Sequence, residues 1–268
     1  MERLNETYED VSLKDGISHI GLQFWIPNND GGIQYVARFR EKIDDKTITQ
    51  FQEWGQKHNV KTMLCIYNGA YMDWDWNLAK AAFGTHRSEL IGALVAEVNR
   101  LGLDGVDIDF EGKGTWDEDR GLYVAFIKEL ADQLHAENKE LTVDTFAYKW
   151  HAPNQKWWLE LLPHIDGLHV MGYEETGVGG KDWRSYDFIQ KAVSKHPSKL
   201  MIGMPSHVPQ WLEKSAAAHI DWVATHPPVG VAIWDAQLRD ETWRSKEIWQ
   251  KLKHLKEGTS SDQEIDRE

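Results

Sequence analysis

The chain has 268 residues, of which 43 are acidic and 30 basic, and its formal net charge is −13 at pH 7. Such a charge disfavours nucleic acids and anionic membranes as partners and suits a neutral ligand. A single cysteine, Cys65, excludes an internal disulfide and a metal site built from several cysteines.

The length suits one α/β barrel, which typically needs about 250 residues. No linker rich in proline, glycine or serine divides the chain, so we predict a single monomeric domain over residues 1–256. Residues 257–268 have no apolar pattern and are predicted to form a disordered acidic tail. The first ten residues are polar and acidic, so no signal peptide is predicted. No apolar run reaches the roughly 18 residues that a membrane span needs.

Seven apolar runs alternate with segments of helical spacing, which is typical of a parallel sheet covered by helices. The predicted strands are residues 17–26, 61–67, 103–111, 141–147, 166–173, 200–204 and 229–234. The predicted helices are residues 47–57, 85–102, 115–134, 157–162, 186–193, 211–225 and 248–255. For the third helix we predict a capping box, Thr115 to Glu118, and a buried face that includes Leu122.

The most informative stretch is residues 103–111, which read LDGVDIDFE. Residues two apart share a face of a strand, so Asp107, Asp109 and Glu111 should line one side while the apolar residues between them pack on the other. An exposed amphipathic edge strand is the alternative. Aspartate is depleted in strands, however, and stacked carboxylates repel. Crowded carboxylates drive their pKa values apart, which is useful for acid catalysis of glycosidic bond cleavage.

The run Asp104-Gly105-Val106-Asp107-Ile108-Asp109-Phe110-Glu111 resembles the D-G-x-D-x-D-x-E signature of the family-18 glycoside hydrolases, which include chitinases and endo-β-N-acetylglucosaminidases. The resemblance implies a TIM (β/α)8 barrel with this stretch as the fourth strand. It also implies that Glu111 is the general acid, that Asp109 orients the N-acetyl group of the substrate and that Asp107 tunes Asp109.

The other strands match the family in part. Met171-Gly172-Tyr173-Glu174 resembles M-x-Y-D, which implies that Tyr173 braces the N-acetyl carbonyl and that Glu174 and Met171 bind the sugar. Trp234, at the end of the last strand, resembles the tryptophan beneath the cleaved sugar. The third-strand motif S-x-G-G departs most, because it reads Cys65-Ile66-Tyr67-Asn68. We also expect three aromatic residues near strand ends to bind substrate, namely Phe24, Tyr67 and Tyr148.

The seven predicted strands correspond to strands two to eight of the family. Residues 1–16 offer only a polar segment, so the first strand is either trimmed or degenerate. Residues 205–228, between the last two strands, are too few for the α+β insertion of processive chitinases, so we expect an open cleft.

Fourteen tryptophans are unusual for this length, and flat aromatic faces suit stacking against sugar rings. Each could instead pack in the core, but we expect at least three of those outside the apolar periods to line a glycan groove. These candidates are Trp74, Trp76, Trp116, Trp150, Trp157, Trp158 and Trp183.

The resemblance implies an endo-acting retaining hydrolase of β-1,4-linked N-acetylglucosamine polymers such as chitin. Peptidoglycan or spore-cortex N-acetylglucosaminidase and N-glycan endo-β-N-acetylglucosaminidase are alternatives, and a glycan-binding lectin without activity is the alternative from another class. No metal or organic cofactor is expected. The resemblance also implies a secreted or cell-envelope protein.

Overall fold

The computed structural model describes residues 2–36, 43–70, 73–171, 183–206, 216–239 and 241–265. Within these ranges, the strands are β1 Thr7–Tyr8, β2 Val11–Ser12, β3 His19–Pro27, β4 Ile33–Tyr35, β5 Lys61–Tyr67, β6 Gly69–Ala70, β7 Asp73–Trp74, β8 Gly105–Asp109, β9 Glu140–Phe146, β10 Gly167–Met171, β11 Leu200–Pro205 and β12 Gly230–Trp234. The predicted strands correspond to β3, β5, β8, β9, β10, β11 and β12.

The α-helices of the same ranges are α1 Leu13–Gly16, α2 Asp45–His58, α3 Trp76–Lys80, α4 Arg87–Leu101, α5 Arg120–Ala136, α6 Trp158–Leu161, α7 Trp183–Ala192, α8 Ala216–Ala224 and α9 Lys246–Ile265. A π-helical turn, Ala81–Thr85, precedes α4, and three short 3₁₀ turns cover Arg3–Asn5, Pro197–Lys199 and Glu241–Trp243. Among the described residues, no helix is both long enough and apolar enough to cross a membrane.

The chain divides into two compact units, one formed by His19–Leu168 and the other by Met1–Ser18 together with His169–Glu268. In the first unit, β3, β5, β8 and β9 pair in parallel in that order, and the short β4 pairs antiparallel to β3. The register places Cys65 beside Asp107, Tyr67 beside Asp109, and Asp107 beside Thr142. Because the strands are parallel, their carboxyl ends lie along one edge.

The helices of this unit begin and end where local chemistry favours it. The N-cap Asp44 of α2 accepts a hydrogen bond from the backbone nitrogen of Thr47 at 2.9 Å, and Asn59 ends the helix in the left-handed conformation. Gly102 ends α4 in the same conformation. The capping box predicted for α5 is wrong, because α5 begins at Arg120 after Asp119, whose side chain makes no cap.

The buried face of α5 also differs slightly from the prediction. Leu122 is 43% exposed, and Tyr123 takes the buried position beside it. The helix therefore starts its apolar stripe one residue later than the sequence suggested. Phe126 of this helix lies 6.2 Å from the ring of Phe110, and the ring of Phe83 lies 6.5 Å from both.

The second unit begins with a short antiparallel pair, in which Thr7 lies opposite Ser12. Helix α1 follows, with a capping box between Ser12 and Asp15. It packs on α9 so closely that a Cβ at Gly16 would lie 3.0 Å from the Cβ of Leu252. Residues 2–16 thus contain this antiparallel pair and no strand of the parallel type. In the same unit β11 and β12 pair in parallel.

Helix α9 continues to Ile265, whereas the sequence predicted a disordered tail from residue 257. The segment contains no proline, and adding residues to an existing helix avoids the cost of nucleation, so the helix that begins at Lys246 can extend without an apolar pattern. The predicted single domain over residues 1–256 stays a prediction.

Candidate active site

Strand β8 carries the acidic stretch and lies between β5 and β9. Asp107 and Asp109 are only 7% and 4% exposed, whereas Phe110 is fully buried against Phe83 and Phe126 on the helical side. The predicted alternation is therefore confirmed, since the apolar side chain faces the helices and the carboxylates share the opposite face. The alternative of an exposed edge strand is wrong.

Asp107 is the first carboxylate along this face. The hydroxyl of Thr142 donates a hydrogen bond to Asp107 Oδ1 at 2.5 Å. The thiol of Cys65 is also hydrogen-bonded to Asp107, and burial together with that carboxylate holds the pKa of the thiol well above its ordinary value. Both neighbours come from the flanking strands at the same register. Asp107 is thus held by one neutral donor on each side.

Asp109 follows two residues later. Gln23 of β3 donates from Nε2 to Asp109 Oδ2 at 2.6 Å, while Oδ1 is buried and accepts no hydrogen bond from an N–H or hydroxyl group of the described residues. Burial raises the pKa of Asp109 well above its usual range, and the charges of Glu111, Asp144 and Asp107 add to that effect. A protonated carboxyl group beside Asp109 would donate the hydrogen bond that Oδ1 otherwise lacks.

Glu111 supplies that neighbour at the carboxyl end of the strand. Burial raises the pKa of Glu111 to about 8; its hydrogen bond with Asp109 and the charge of Lys113 lower the value, and Asp144 raises it. A carboxyl group with this pKa still carries its proton at neutral pH. The pair can therefore share one proton, with Glu111 as the donor.

The backbone of Glu111 is held by the side chain of Asn68. Asn68 Oδ1 accepts a hydrogen bond from the Glu111 nitrogen at 2.8 Å, and its Nδ2 donates to the Glu111 carbonyl oxygen at 2.9 Å. Nδ2 also donates to the Asp75 carbonyl oxygen at 2.9 Å. Asn68 is fully buried. Backbone pairing between β5 and β8 ends at Tyr67 and Asp109, and beyond that point the side-chain amide of Asn68 supplies the hydrogen bonds between the two segments. The departure from S-x-G-G thus places a clamp beside Glu111.

A fourth carboxylate, Asp144 of β9, was not predicted. Cys65, Asp107 and Asp144 each offer one atom, and these three atoms lie within 4.8 Å of one another. The signal was present in the sequence, because Asp144 interrupts an apolar strand two residues after Thr142, on the same face. The expectation that the chemistry needs no metal stays a prediction.

Two of the aromatic residues predicted to bind substrate, Phe24 and Tyr67, pack against other aromatic rings. Strand β3 has a bulge between Gln23 and Trp25, and Phe24 packs 6.1 Å from the ring of Phe51 on α2. The structure therefore brings Gln23, and not Phe24, to the carboxylates. Tyr67 is buried in edge contact with Trp74, so its ring is part of the packing below the strand end.

Three of the seven candidate tryptophans are core residues. Trp76, Trp157 and Trp158 are buried and therefore do not line a groove, and the expectation that at least three of the seven do so stays a prediction for the others. Trp116 stacks on Trp76 at 6.1 Å, and the side chain of Trp183 lies outside the described residues. Sequence periodicity missed these positions because Trp76 and Trp158 begin the short helices α3 and α6 and Trp157 directly precedes α6, so their burial is decided by packing against neighbouring elements.

The remaining predicted residues belong to the second unit. Met171 is buried in β10, and Trp234 is 44% exposed at the end of β12. Ser206 and Asp235 connect the ends of β11 and β12 through a hydrogen bond of 3.0 Å between Ser206 Oγ and Asp235 Oδ1. Tyr173 and Glu174 lie outside the described residues. That these residues join the carboxylates in one cavity stays a prediction.

Comparisons with known proteins identify the family and the fold. The sequence profile described as Glycosyl hydrolases family 18 matches residues 4–267. A chitinase from Bacteroides thetaiotaomicron superposes with a TM-score of 0.71 at 18% identity, over 94% of this chain and 93% of that one. A chitinase from Chromobacterium violaceum gives 0.70 at 16% identity, over 89% and 91%.

A third similar structure is the spore cortex-lytic enzyme SleL from Bacillus cereus, with a TM-score of 0.67 at 13% identity, over 90% of this chain and 68% of that one. At such identities the structural likeness establishes the fold class, which is an α/β fold of the TIM-barrel type. The profile match covers nearly the whole sequence. The chain therefore belongs to family 18 of the glycosyl hydrolases and is a glycoside hydrolase.

Proposed function

We propose that this enzyme cleaves β-1,4-linked N-acetylglucosamine polymers from within the chain, with retention at the anomeric carbon and with the N-acetyl group of the substrate as the nucleophile. The observation that carries the proposal is the hydrogen-bonded pair of Asp109 and Glu111 at the carboxyl end of β8, where burial raises the pKa of both carboxyl groups. Active sites of such barrels lie at this end of the strands.

Glu111 is the general acid in this mechanism. Its raised pKa keeps the proton that it delivers to the glycosidic oxygen as the bond to the anomeric carbon breaks. The leaving sugar departs with that proton as a hydroxyl. The resulting Glu111 carboxylate then serves as the base for the second step.

Asp109 holds the acetamido group beneath the anomeric carbon. The carbonyl oxygen of that group attacks the carbon and forms a cyclic oxazolinium, while the amide N–H hydrogen-bonds to Asp109. Water then attacks the same carbon, transfers a proton to Glu111 and opens the ring. Asp107 supports Asp109 by stabilising the arrangement of shared protons, and Tyr173 braces the acetamido oxygen.

A substrate comparison tests this mechanism. Chitin oligomers should be cleaved, whereas oligomers with a hydroxyl or free amine in place of the N-acetyl group at the cleaved sugar should not, because the internal nucleophile is missing. A thiazoline analogue of the oxazolinium should inhibit. Efficient hydrolysis of cellulose oligomers would rule out the substrate-assisted mechanism.

Peptidoglycan of the spore-cortex type is the second candidate substrate. Two observations favour it: the sequence after Met171 reads Gly172-Tyr173-Glu174, where the family pattern M-x-Y-D has aspartate, and the fold is similar to that of a spore cortex-lytic enzyme. A panel of chitin oligomers, peptidoglycan and high-mannose glycoprotein, read as released reducing sugar, separates the candidates. The polymer cleaved with the highest kcat/KM is the assigned substrate.

A further inference from the structure

Trp150 differs from the other described tryptophans of the unit His19–Leu168, because it is the one that is exposed. Its side chain is 52% accessible, and one face of the indole lies on the ring of Tyr148 with a centroid distance of 4.3 Å and an interplanar angle of 14°. Tyr148 is itself buried and lies 5.0 Å from Phe146. The exposed ring therefore stands on a stack of aromatic rings that begins in β9.

Trp150 lies in a loop, residues 146–154, whose two ends are joined by hydrogen bonds. The nitrogen of Phe146 donates to the carbonyl oxygen of Pro153 at 2.9 Å, and Asn154 Nδ2 donates to the His151 carbonyl oxygen at 2.7 Å. The ring of His151 also packs 4.8 Å from Phe146. An exposed indole on such a segment loses little conformational entropy when it binds a ligand.

The same segment is joined to the residue that follows Glu111. Gly112 and Ala152 form a two-way bridge, in which each nitrogen donates to the carbonyl oxygen of the other at 2.9 Å. Trp150 is two residues from this bridge and Glu111 is one residue from it. The backbone segments that carry the exposed indole and the proton donor are therefore joined directly, just beyond the carboxyl ends of β8 and β9.

We propose that the exposed indole of Trp150, supported by Tyr148, is a binding subsite for a pyranose ring of the same glycan whose bond Glu111 protonates. The proposal rests on the proposed function. The C–H groups on one face of a pyranose are apolar and complement the electron-rich face of an indole. Tyr148, expected from the sequence to contact substrate, instead acts through Trp150 by fixing the plane of its ring.

Binding of chitin oligomers to the Glu111→Gln enzyme, measured by calorimetry with two to six sugars, tests the subsite. Trp150→Ala should weaken binding of the longer oligomers by about 3- to 10-fold, which corresponds to the loss of one aromatic stacking contact. Trp150→Phe should restore most of the affinity. Leu159→Ala is the matched control, because Leu159 is exposed on α6 of the same unit and should have no effect.

A second measurement uses the enzyme with Glu111 intact. Trp150→Ala should raise KM for long oligomers while kcat stays near that of the unchanged protein, and peptidoglycan fragments are assayed in parallel. Unchanged affinity and KM in a folded Trp150→Ala protein that still cleaves these glycans would overturn the subsite alone. An unmodified enzyme that neither binds nor cleaves either glycan would overturn the proposed function and the subsite together.

Discussion

Glu111 and Glu140 lie at opposite ends of neighbouring strands and have opposite chemistry. Glu111 follows β8 at its carboxyl end, where burial and the charge of Asp144 raise its pKa to about 8. Glu140 begins β9 beside Gly105, the first residue of β8. Partial burial acts to raise the pKa of Glu140, but hydrogen bonds from His19 and Lys61 lower it to about 2.

The comparison shows that the partners, and not burial by itself, decide what a carboxyl group in this sheet can do. His19 lies 2.9 Å from Glu140, and Lys61 forms an ion pair with it, so the charged form of Glu140 is stabilised. At the other end, burial raises the pKa of Glu111 and the charge of Asp144 adds to the rise, while the hydrogen bond with Asp109 and the charge of Lys113 offset it only in part, so the neutral form is favoured. This agrees with the general division of such folds into a stabilising amino end and a reactive carboxyl end.

The largest expected effect is on turnover. Glu111→Gln should reduce kcat by about 10²–10⁴-fold or more, because the amide cannot donate the proton, while binding of oligomers is retained. Glu140→Gln is the matched control and should leave kcat unchanged. The two variants are compared with the same chitin or peptidoglycan substrate. A Glu111→Gln enzyme that keeps over half of the original rate would remove Glu111 from the role of general acid.

The next effect concerns the clamp on Glu111. Asn68→Ala removes the two hydrogen bonds that hold the backbone of Glu111, and we expect kcat to fall about 10- to 100-fold with little change in KM, because a small displacement of the acid suffices. Asn68→Asp keeps an acceptor for the Glu111 nitrogen and should retain more activity than Asn68→Ala at low pH. Equal losses in kcat and in substrate binding would indicate a structural role only.

The pH dependence of kcat/KM tests whether the raised pKa of Glu111 limits activity and whether Asp144 contributes to it. Activity should fall as pH rises through about 8, because Glu111 then loses its proton. Asp144→Asn removes a neighbouring negative charge, so the pKa of Glu111 should decrease and the alkaline limb should move to lower pH. Glu140→Gln should leave that limb in place. An alkaline limb that Asp144→Asn leaves unmoved would contradict the electrostatic coupling.

The smallest effect is on stability. The folded-state pKa of Glu140 lies below its ordinary value of 4.5, so its ion pairs stabilise the fold above about pH 4.5, and that contribution is lost as pH falls towards 2. Glu140→Gln should lower the free energy of unfolding by about 0.5–1 kcal/mol at pH 7. Chemical denaturation at pH 7 and pH 3 measures this, and the difference between the two proteins should shrink at pH 3.

The local sequence pattern determined the features that depend on a single strand or helix. The alternation in residues 103–111 determined which side chains share a face, because the period of a strand is two whatever its neighbours are. The helical spacing of residues 47–57 and the glycine at position 102 likewise predicted α2 and the end of α4. The signature in β8 was sufficient to identify the family.

Tertiary structure alone decided which residues surround the acids. The bulge in β3 turns Gln23 towards Asp109 and Phe24 towards a helix, and the register of β9 brings Asp144 to Asp107. Asn68 reaches Glu111 only because β5 and β8 are paired, although 43 positions separate the two residues. Periodicity states which residues of one strand point the same way, whereas pairing between distant segments decides which strands lie side by side and where a bulge shifts their register.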